Sequence, residues 1–112
     1  MKIYHNPRCR KSRETLQIIE DAGIVPEVIE YLNDVPSEAE LKELIVMLGI
    51  KPYDLLRRGE AEFKENFKGK DLSDDEWVSA MVKYPKLIER PIVVAQKKAV
   101  LGRPPENVKT LL

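Results

Sequence analysis

The sequence carries very few of the side chains that metals and disulfides require. Of its 112 residues, one is a cysteine and one is a histidine. A single cysteine cannot form an internal disulfide, and a zinc site needs more cysteine or histidine ligands than this chain has. We therefore expect no bound metal and no dithiol chemistry. The lone cysteine is either a packing residue or a working thiol.

Long apolar runs and net charge are also missing. No stretch is apolar enough to cross a membrane, and the first nine residues, M-K-I-Y-H-N-P-R-C, are too polar for a signal peptide. We therefore expect a cytoplasmic protein that makes no membrane contact. Lys and Arg together number 19, as do Asp and Glu, so the net charge is zero. This balance argues against direct nucleic-acid binding, and the length fits one domain over residues 1–112.

Apolar and alternating segments predict four short strands, at residues 2–5, 27–31, 91–94 and 98–101. Helical spacing predicts a first helix over residues 10–22. Two capping pairs, Ser37 with Glu40 and Ser73 with Glu76, predict the start of later helices. Two prolines at 104 and 105 begin a short final helix.

The predicted order of elements is β-α-β, then a helical insertion over roughly residues 50–85, then β-β-α. The first part suits a parallel crossover, and the last two strands suit a hairpin. This order is typical of a thioredoxin-like α/β fold with a mixed four-stranded sheet. The sequence contains no internal repeat or linker.

Cys9 follows a turn at residues 6–7 and stands at the start of the first predicted helix. Unpaired N–H groups and the helix dipole favour an anion there, so the pKa of the thiol can be lowered. The neighbouring cations are Arg8, Arg10, Lys11 and Arg13. Cations at this end of a helix oppose its dipole, and they suggest a role in holding a thiolate or attracting an anionic substrate.

Ser12 and His5 are the other candidate residues near Cys9. Ser12 occupies the place of the second cysteine in a C-x-x-C motif, so it can donate a hydrogen bond to a thiolate but cannot form a disulfide. His5 either helps to deprotonate Cys9 or caps the end of the first strand. A C-x5-R phosphatase loop would need an arginine where the chain has Thr15, which argues against that class of enzyme.

Four ordered motifs resemble the glutaredoxin-linked arsenate reductase family. Residues 4–9 read Y-H-N-P-R-C and are followed by S-R-E-T-L at residues 12–16. The later motifs are L-L-R at residues 55–57, R-P-I-V-V at residues 90–94 and G-R-P-P-E at residues 102–106. The resemblance covers nearly the whole chain, and the order and separation of the motifs make it specific.

The resemblance implies a role for Cys9 as the nucleophile and for three arginines as an oxyanion pocket. These arginines are Arg57, Arg90 and Arg103. Guanidinium groups suit the oxygens of a tetrahedral oxyanion. Arg58 is adjacent to Arg57 and is the alternative at that position.

The same resemblance assigns two supporting positions, and the chain departs from the family at a third. Pro91 matches the cis-proline that lies against the active-site turn of thioredoxin-like folds, and Asn6 belongs to the matched turn. The family's arsenate reductases commonly carry C-G-T-S, whereas this chain has C-R-K-S at residues 9–12. Arg10 therefore either adds an anion contact or narrows the pocket.

The activity implied by the resemblance is reduction of arsenate to arsenite through a Cys9 thiolate. Glutathione would be the co-substrate and glutaredoxin the protein partner, with no bound cofactor. Two alternatives stay open. One is a thiol-dependent regulator of the branch that binds RNA polymerase, although Ser12 removes that branch's usual C-x-x-C switch. The other is a glutathione-linked reductase of a different substrate.

Overall fold

Four short strands form one mixed sheet in the computed structural model, which describes residues 1–112. The strands are β1 (Lys2–Tyr4), β2 (Glu27–Ile29), β3 (Ile92–Ala95) and β4 (Lys98–Leu101), and their order in the sheet is β2-β1-β3-β4. β1 runs parallel to β2 and antiparallel to β3, and β3 and β4 form an antiparallel hairpin. The predicted mixed sheet and the thioredoxin-like order of elements are confirmed.

The chain divides into two compact units, of which the first combines Met1–Asp34 with Arg90–Leu112. This unit holds the sheet, helix α1 (Arg10–Asp21) and a 3₁₀ helix over Pro105–Leu111 that packs against α1. Its core consists of fully buried apolar residues from β1, α1, β3 and the 3₁₀ helix. They are Ile3, Ile19, Val93 and Val108. Burial of these side chains stabilises the packing of the two helices on the sheet.

Two predicted elements of the first unit differ from the structure in helix type or by more than one residue at a boundary. The final helix is a 3₁₀ helix and not an α-helix, and at its start the N–H of Asn107 donates to the carbonyl of Pro104 at 3.0 Å, closing an i→i+3 ring. Pro104 and Pro105 have no N–H of their own to donate. β2 ends at Ile29 because the carbonyl of Glu30 accepts the N–H groups of the turn that follows, at residues 33 and 34.

The second unit spans Val35–Glu89 and is entirely helical apart from turns and one isolated bridge. Its α-helices are α2 (Glu38–Leu48), α3 (Ala61–Asn66) and α4 (Asp74–Lys83), with 3₁₀ turns at Pro52–Leu55 and Pro85–Leu87. Buried Trp77 of α4 stacks on Phe63 and contacts Tyr53 and Phe67. The predicted insertion at roughly residues 50–85 lies within this unit, while the single-domain assignment stays a prediction. None of the helices in the chain is both long and apolar enough to span a membrane.

Candidate active site

One edge of the sheet collects the segments that carry most of the predicted site residues. Tyr4, the last residue of β1, pairs with Ile29 at the end of β2 and with Ile92 at the start of β3. Ile92 in turn pairs with Leu101 at the end of β4. The loops that leave β1, β2 and β4 therefore meet the segment that enters β3. Cys9, Arg90 and Arg103 lie on these segments.

Cys9 is the N-cap residue of α1, as the sequence predicts. Its backbone is extended (φ −92°, ψ 121°), and its carbonyl accepts the N–H of Arg13 at 3.0 Å, the first hydrogen bond of the helix. The N–H of Cys9 donates to the carbonyl of Asn6 at 2.9 Å, closing the turn before the helix. The guanidinium of Arg13 donates to the carbonyl of Pro7 at 3.0 Å and ties this turn to α1. The sulfur is partly buried.

The surroundings of Cys9 favour its thiolate. Burial by itself raises the pKa of the thiol, but the backbone N–H of Ser12, the charge of Arg90, the backbone N–H of Lys11 and a hydrogen bond from the Arg90 side chain all lower it. The resulting pKa lies below the ordinary value for cysteine. Such a thiol has a larger thiolate fraction near neutral pH, and the thiolate is the nucleophilic form.

Arg90 and Arg103 lie together at this edge. The peptide bond between Arg90 and Pro91 is cis, which confirms the prediction for Pro91, and a second cis bond precedes Pro104. Nη1 of Arg103 donates to the carbonyl of Arg90 at 3.3 Å. The structure therefore brings Cys9 and Arg90 into direct electrostatic contact and places Arg103 beside the backbone of Arg90.

The buried hydroxyl of Ser12 joins His5 to the turn. Its oxygen lies 2.6 Å from Nδ1 of His5 and accepts the N–H of Asn6 at 3.1 Å. Burial lowers the pKa of the His5 imidazole, Glu30 raises it and Arg13 lowers it further, with a net decrease. His5 therefore contacts Ser12, and the effect of Ser12 on the thiolate comes from its backbone N–H.

Arg10 is directed along the surface of α1. Its Nε lies 2.7 Å from Oε1 of Glu14, and 84% of its side chain is exposed. An i,i+4 ion pair of this kind on an exposed helix face contributes little to stability. The role of Arg10 beside Cys9, as an added anion contact or as a residue that narrows the pocket, stays a prediction.

Arg57 belongs to the second unit and is held there by carboxylates. Its guanidinium lies 3.1 Å from Glu60 and 3.9 Å from Glu89, and it donates to the carbonyl of Lys86 at 3.4 Å. Only 27% of the Arg57 side chain is exposed. The exposed neighbour, Arg58, stacks on the ring of Tyr53. The role of Arg57 in oxyanion binding stays a prediction.

Two positioning residues were not identified from the sequence. Thr15 is fully buried on α1 and donates through Oγ1 to the carbonyl of Lys11 at 2.7 Å. Gly102, at the end of β4, lies so close to Thr15 and Pro91 that a side chain there would collide with both. The G-R-P motif contained the glycine, but only the three-dimensional packing shows what it touches.

The fold and the site together define a class of protein. This is a thioredoxin-like protein with one activated cysteine at the start of its first helix, without a second cysteine in the chain. Comparison with known proteins agrees: residues 4–111 match the model of the ArsC family. The chain belongs to the ArsC family.

Relatives of the chain carry different names. It is 49% identical to a protein of Escherichia coli K12 called uncharacterized protein YfgD, over 96% of this chain and 92% of that protein. It is 40% identical to an arsenate reductase of Neisseria meningitidis, over 100% of this chain and 97% of that protein. A solved structure of an arsenate reductase from Vibrio cholerae is 50% identical, with a TM-score of 0.94 over 100% of this chain and 98% of that one.

Proposed function

We propose that this chain reduces arsenate to arsenite, with the Cys9 thiolate as the nucleophile. The observation that carries the proposal is the environment of the sulfur, where N–H groups of α1 and the charge of Arg90 lower the thiol pKa. Relatives named arsenate reductase match this chain over its full length. A tetrahedral oxyanion suits the same guanidinium and N–H donors that stabilise the thiolate.

The first step joins Cys9 to arsenic. The thiolate attacks the arsenic atom, a sulfur–arsenic bond forms, and one arsenate oxygen leaves as water after protonation. Negative charge remains on the other oxygens, and donors that face this charge lower the barrier. Arg90 and Arg103 are assigned to this stabilisation, and the resemblance adds Arg57.

The second step needs an external thiol because the chain has no second cysteine. A thiol attacks the sulfur of Cys9, and the electron pair of the sulfur–arsenic bond leaves with arsenic as arsenite. Arsenic has then gained two electrons, and Cys9 is left in a mixed disulfide. Glutathione supplies this thiol, and glutaredoxin with a second glutathione returns Cys9 to the reduced state.

A coupled assay tests the proposal. Glutathione, glutaredoxin, glutathione reductase and NADPH are supplied, and arsenate-dependent oxidation of NADPH is followed, with one NADPH expected per arsenate. Cys9→Ala should abolish the activity, and Arg90→Ala should lower kcat by roughly 10²–10³-fold because it removes a charged donor. The proposal fails if the wild-type rate equals that of Cys9→Ala. Omission of glutaredoxin alone tests the assigned reductant.

A further inference from the structure

A groove with both polar and apolar lining lies beside the turn that carries Cys9. It is formed by the two loops that follow β1 and β2, whose parallel strands end at the same edge of the sheet. Its volume is about 380 Å³, within the range of small-ligand sites. Arg8 from the first loop and Glu30 from the second both line it, with the amides of Asn6 and Asn33 nearby.

The two charges of the groove form no ion pair within the protein, although the carboxylate of Glu30 acts on the imidazole of His5, which also lines the groove. Arg8 and Glu30 are both exposed, and neither takes part in a salt bridge with the other or with any other residue. An arginine and a glutamate whose side chains met in the groove would form an ion pair. Their separation leaves a cationic and an anionic position on opposite loops, which is complementary to a ligand that carries both a carboxylate and an ammonium group.

The Cys9 side of the groove is held in place before any ligand binds. The N–H of Arg8 donates to Oδ1 of Asn6 at 3.0 Å, and the N–H of Cys9 donates to the Asn6 carbonyl at 2.9 Å. The bond from Arg13 to the Pro7 carbonyl fixes the same loop on α1. A preformed wall of this kind reduces the entropy lost on binding.

We propose that this groove binds the peptide part of the thiol that attacks Cys9. Arg8 binds a carboxylate of that thiol and Glu30 binds its ammonium group, so the ligand is a small zwitterionic peptide thiol. The inference rests on the proposed function in one respect, namely that Cys9 needs an external thiol. It goes beyond the proposed function because it assigns the groove as the binding site of that thiol, and Arg8 and Glu30 as the charges that recognise it.

Thiol–disulfide exchange tests the groove without arsenate. The Cys9 thiolate attacks one sulfur of oxidised glutathione, the old disulfide bond breaks, and glutathione thiolate leaves while a Cys9–glutathione disulfide forms. Mass spectrometry follows this adduct. The same reaction with bis(2-hydroxyethyl) disulfide, which has no charges, is measured in parallel. The ratio of the two rate constants cancels changes in thiolate fraction, because one thiolate attacks both probes.

Arg8→Ala and Glu30→Gln should each lower this ratio by about fivefold, the effect of losing roughly 1 kcal/mol of ion pairing. Lys2→Ala is the charge-matched control for Arg8, since Lys2 is an exposed cation at the start of β1 and does not line the groove. Glu27→Gln, on exposed β2, is the control for Glu30. Both controls should keep the wild-type ratio.

The result that overturns the inference is an equal ratio in Arg8→Ala and Lys2→Ala, or a wild-type protein that does not prefer oxidised glutathione. This failure is separate from failure of the proposed function. If the protein prefers oxidised glutathione but does not turn over arsenate, the groove proposal stands and arsenate is not the substrate. If the protein turns over arsenate but does not prefer oxidised glutathione, the proposed function stands and the groove proposal fails.

Discussion

At the scale of single residues, the reactivity of Cys9 depends on donors from distant parts of the chain. The N–H groups of Lys11 and Ser12 follow it directly, whereas Arg90 comes from the segment before β3. Any helix that begins at Cys9 provides the two local N–H donors. The distant donor depends on how α1 packs against the sheet edge, and the buried Thr15 is part of that packing.

Gly102→Ala tests this packing. A methyl group at residue 102 would lie 2.7 Å from Cγ of Pro91 and would collide with Thr15, and the N–H of Gly102 is already bonded to the Pro91 carbonyl at 2.9 Å. We expect a loss of about 1–3 kcal/mol in the free energy of unfolding, as for overpacked cores. The pKa of Cys9 should rise as Arg90 is displaced. Urea unfolding and thiolate absorbance against pH measure the two effects.

Gly59→Ala is the matched control for this substitution. A side chain at residue 59 meets no atom within 4 Å, and the backbone there does not have a positive φ. This variant should keep both the stability and the pKa of Cys9 close to wild type. If Gly102→Ala behaves like Gly59→Ala, the contact between Gly102, Thr15 and Pro91 does not position Arg90.

At the scale of elements, helix α4 begins with a complete capping box. The hydroxyl of Ser73 accepts the N–H of Glu76, and the carboxylate of Glu76 accepts the N–H of Ser73. These bonds lower the pKa of Glu76, the Ser73 N–H having the largest effect. Three acidic residues in the first turn also suit the positive end of the helix dipole.

Ser73→Ala should lower the free energy of unfolding by about 1 kcal/mol, because the N–H of Glu76 loses its acceptor. Thermal or urea unfolding measures this change. Ser73→Asn is the control, since asparagine caps helices about as well as serine and should stay within a few tenths of a kcal/mol. Equal losses in the two variants would show that the hydroxyl cap is not what stabilises the start of α4.

The elements themselves were largely predictable because their signals are local. Apolar spacing, prolines and the Ser73–Glu76 pair lie within a few residues of the boundaries they determine. β2 was predicted two residues too long because Ile29 and Tyr31, with Glu30 between them, continue an alternation of apolar and polar residues. The turn that ends the strand depends on the Glu30 carbonyl, and such a backbone bond has no side-chain signature.

The site was predictable only where the sequence pattern or the resemblance supplied it. Cys9 and its helix start follow from the turn and the helical spacing. The exposed pairing of Arg10 with Glu14 has a local i,i+4 signal in the sequence. The effect of the Glu30 charge on His5 and the packing of Thr15 on Gly102 join residues far apart in sequence, so no local pattern indicates them.

At the scale of the whole molecule, protonation of Cys9 and His5 is linked to folding. Folding lowers the pKa of both groups, so the folded state binds fewer protons than the unfolded chain. For His5, stability is complete above the ordinary pKa of 6.5 and is lost as the pH falls through the lower folded value. For Cys9, stability is gained as the pH rises from the folded pKa towards the ordinary value of 9.0.

The free energy of unfolding should therefore rise with pH in two separate windows above the acid range of Glu76, whose ordinary pKa is 4.5. Each group contributes a slope of at most about 1.4 kcal/mol per pH unit, the value for one proton. His5→Asn should flatten the slope between pH 4.5 and 6.5 and leave the alkaline slope unchanged, whereas Cys9→Ser should do the reverse. Urea unfolding at closely spaced pH values measures both. A slope between pH 4.5 and 6.5 that survives in His5→Asn would mean that other groups carry the acid sensitivity in this range, and that the buried contact between His5 and Ser12 is not what links protonation to folding.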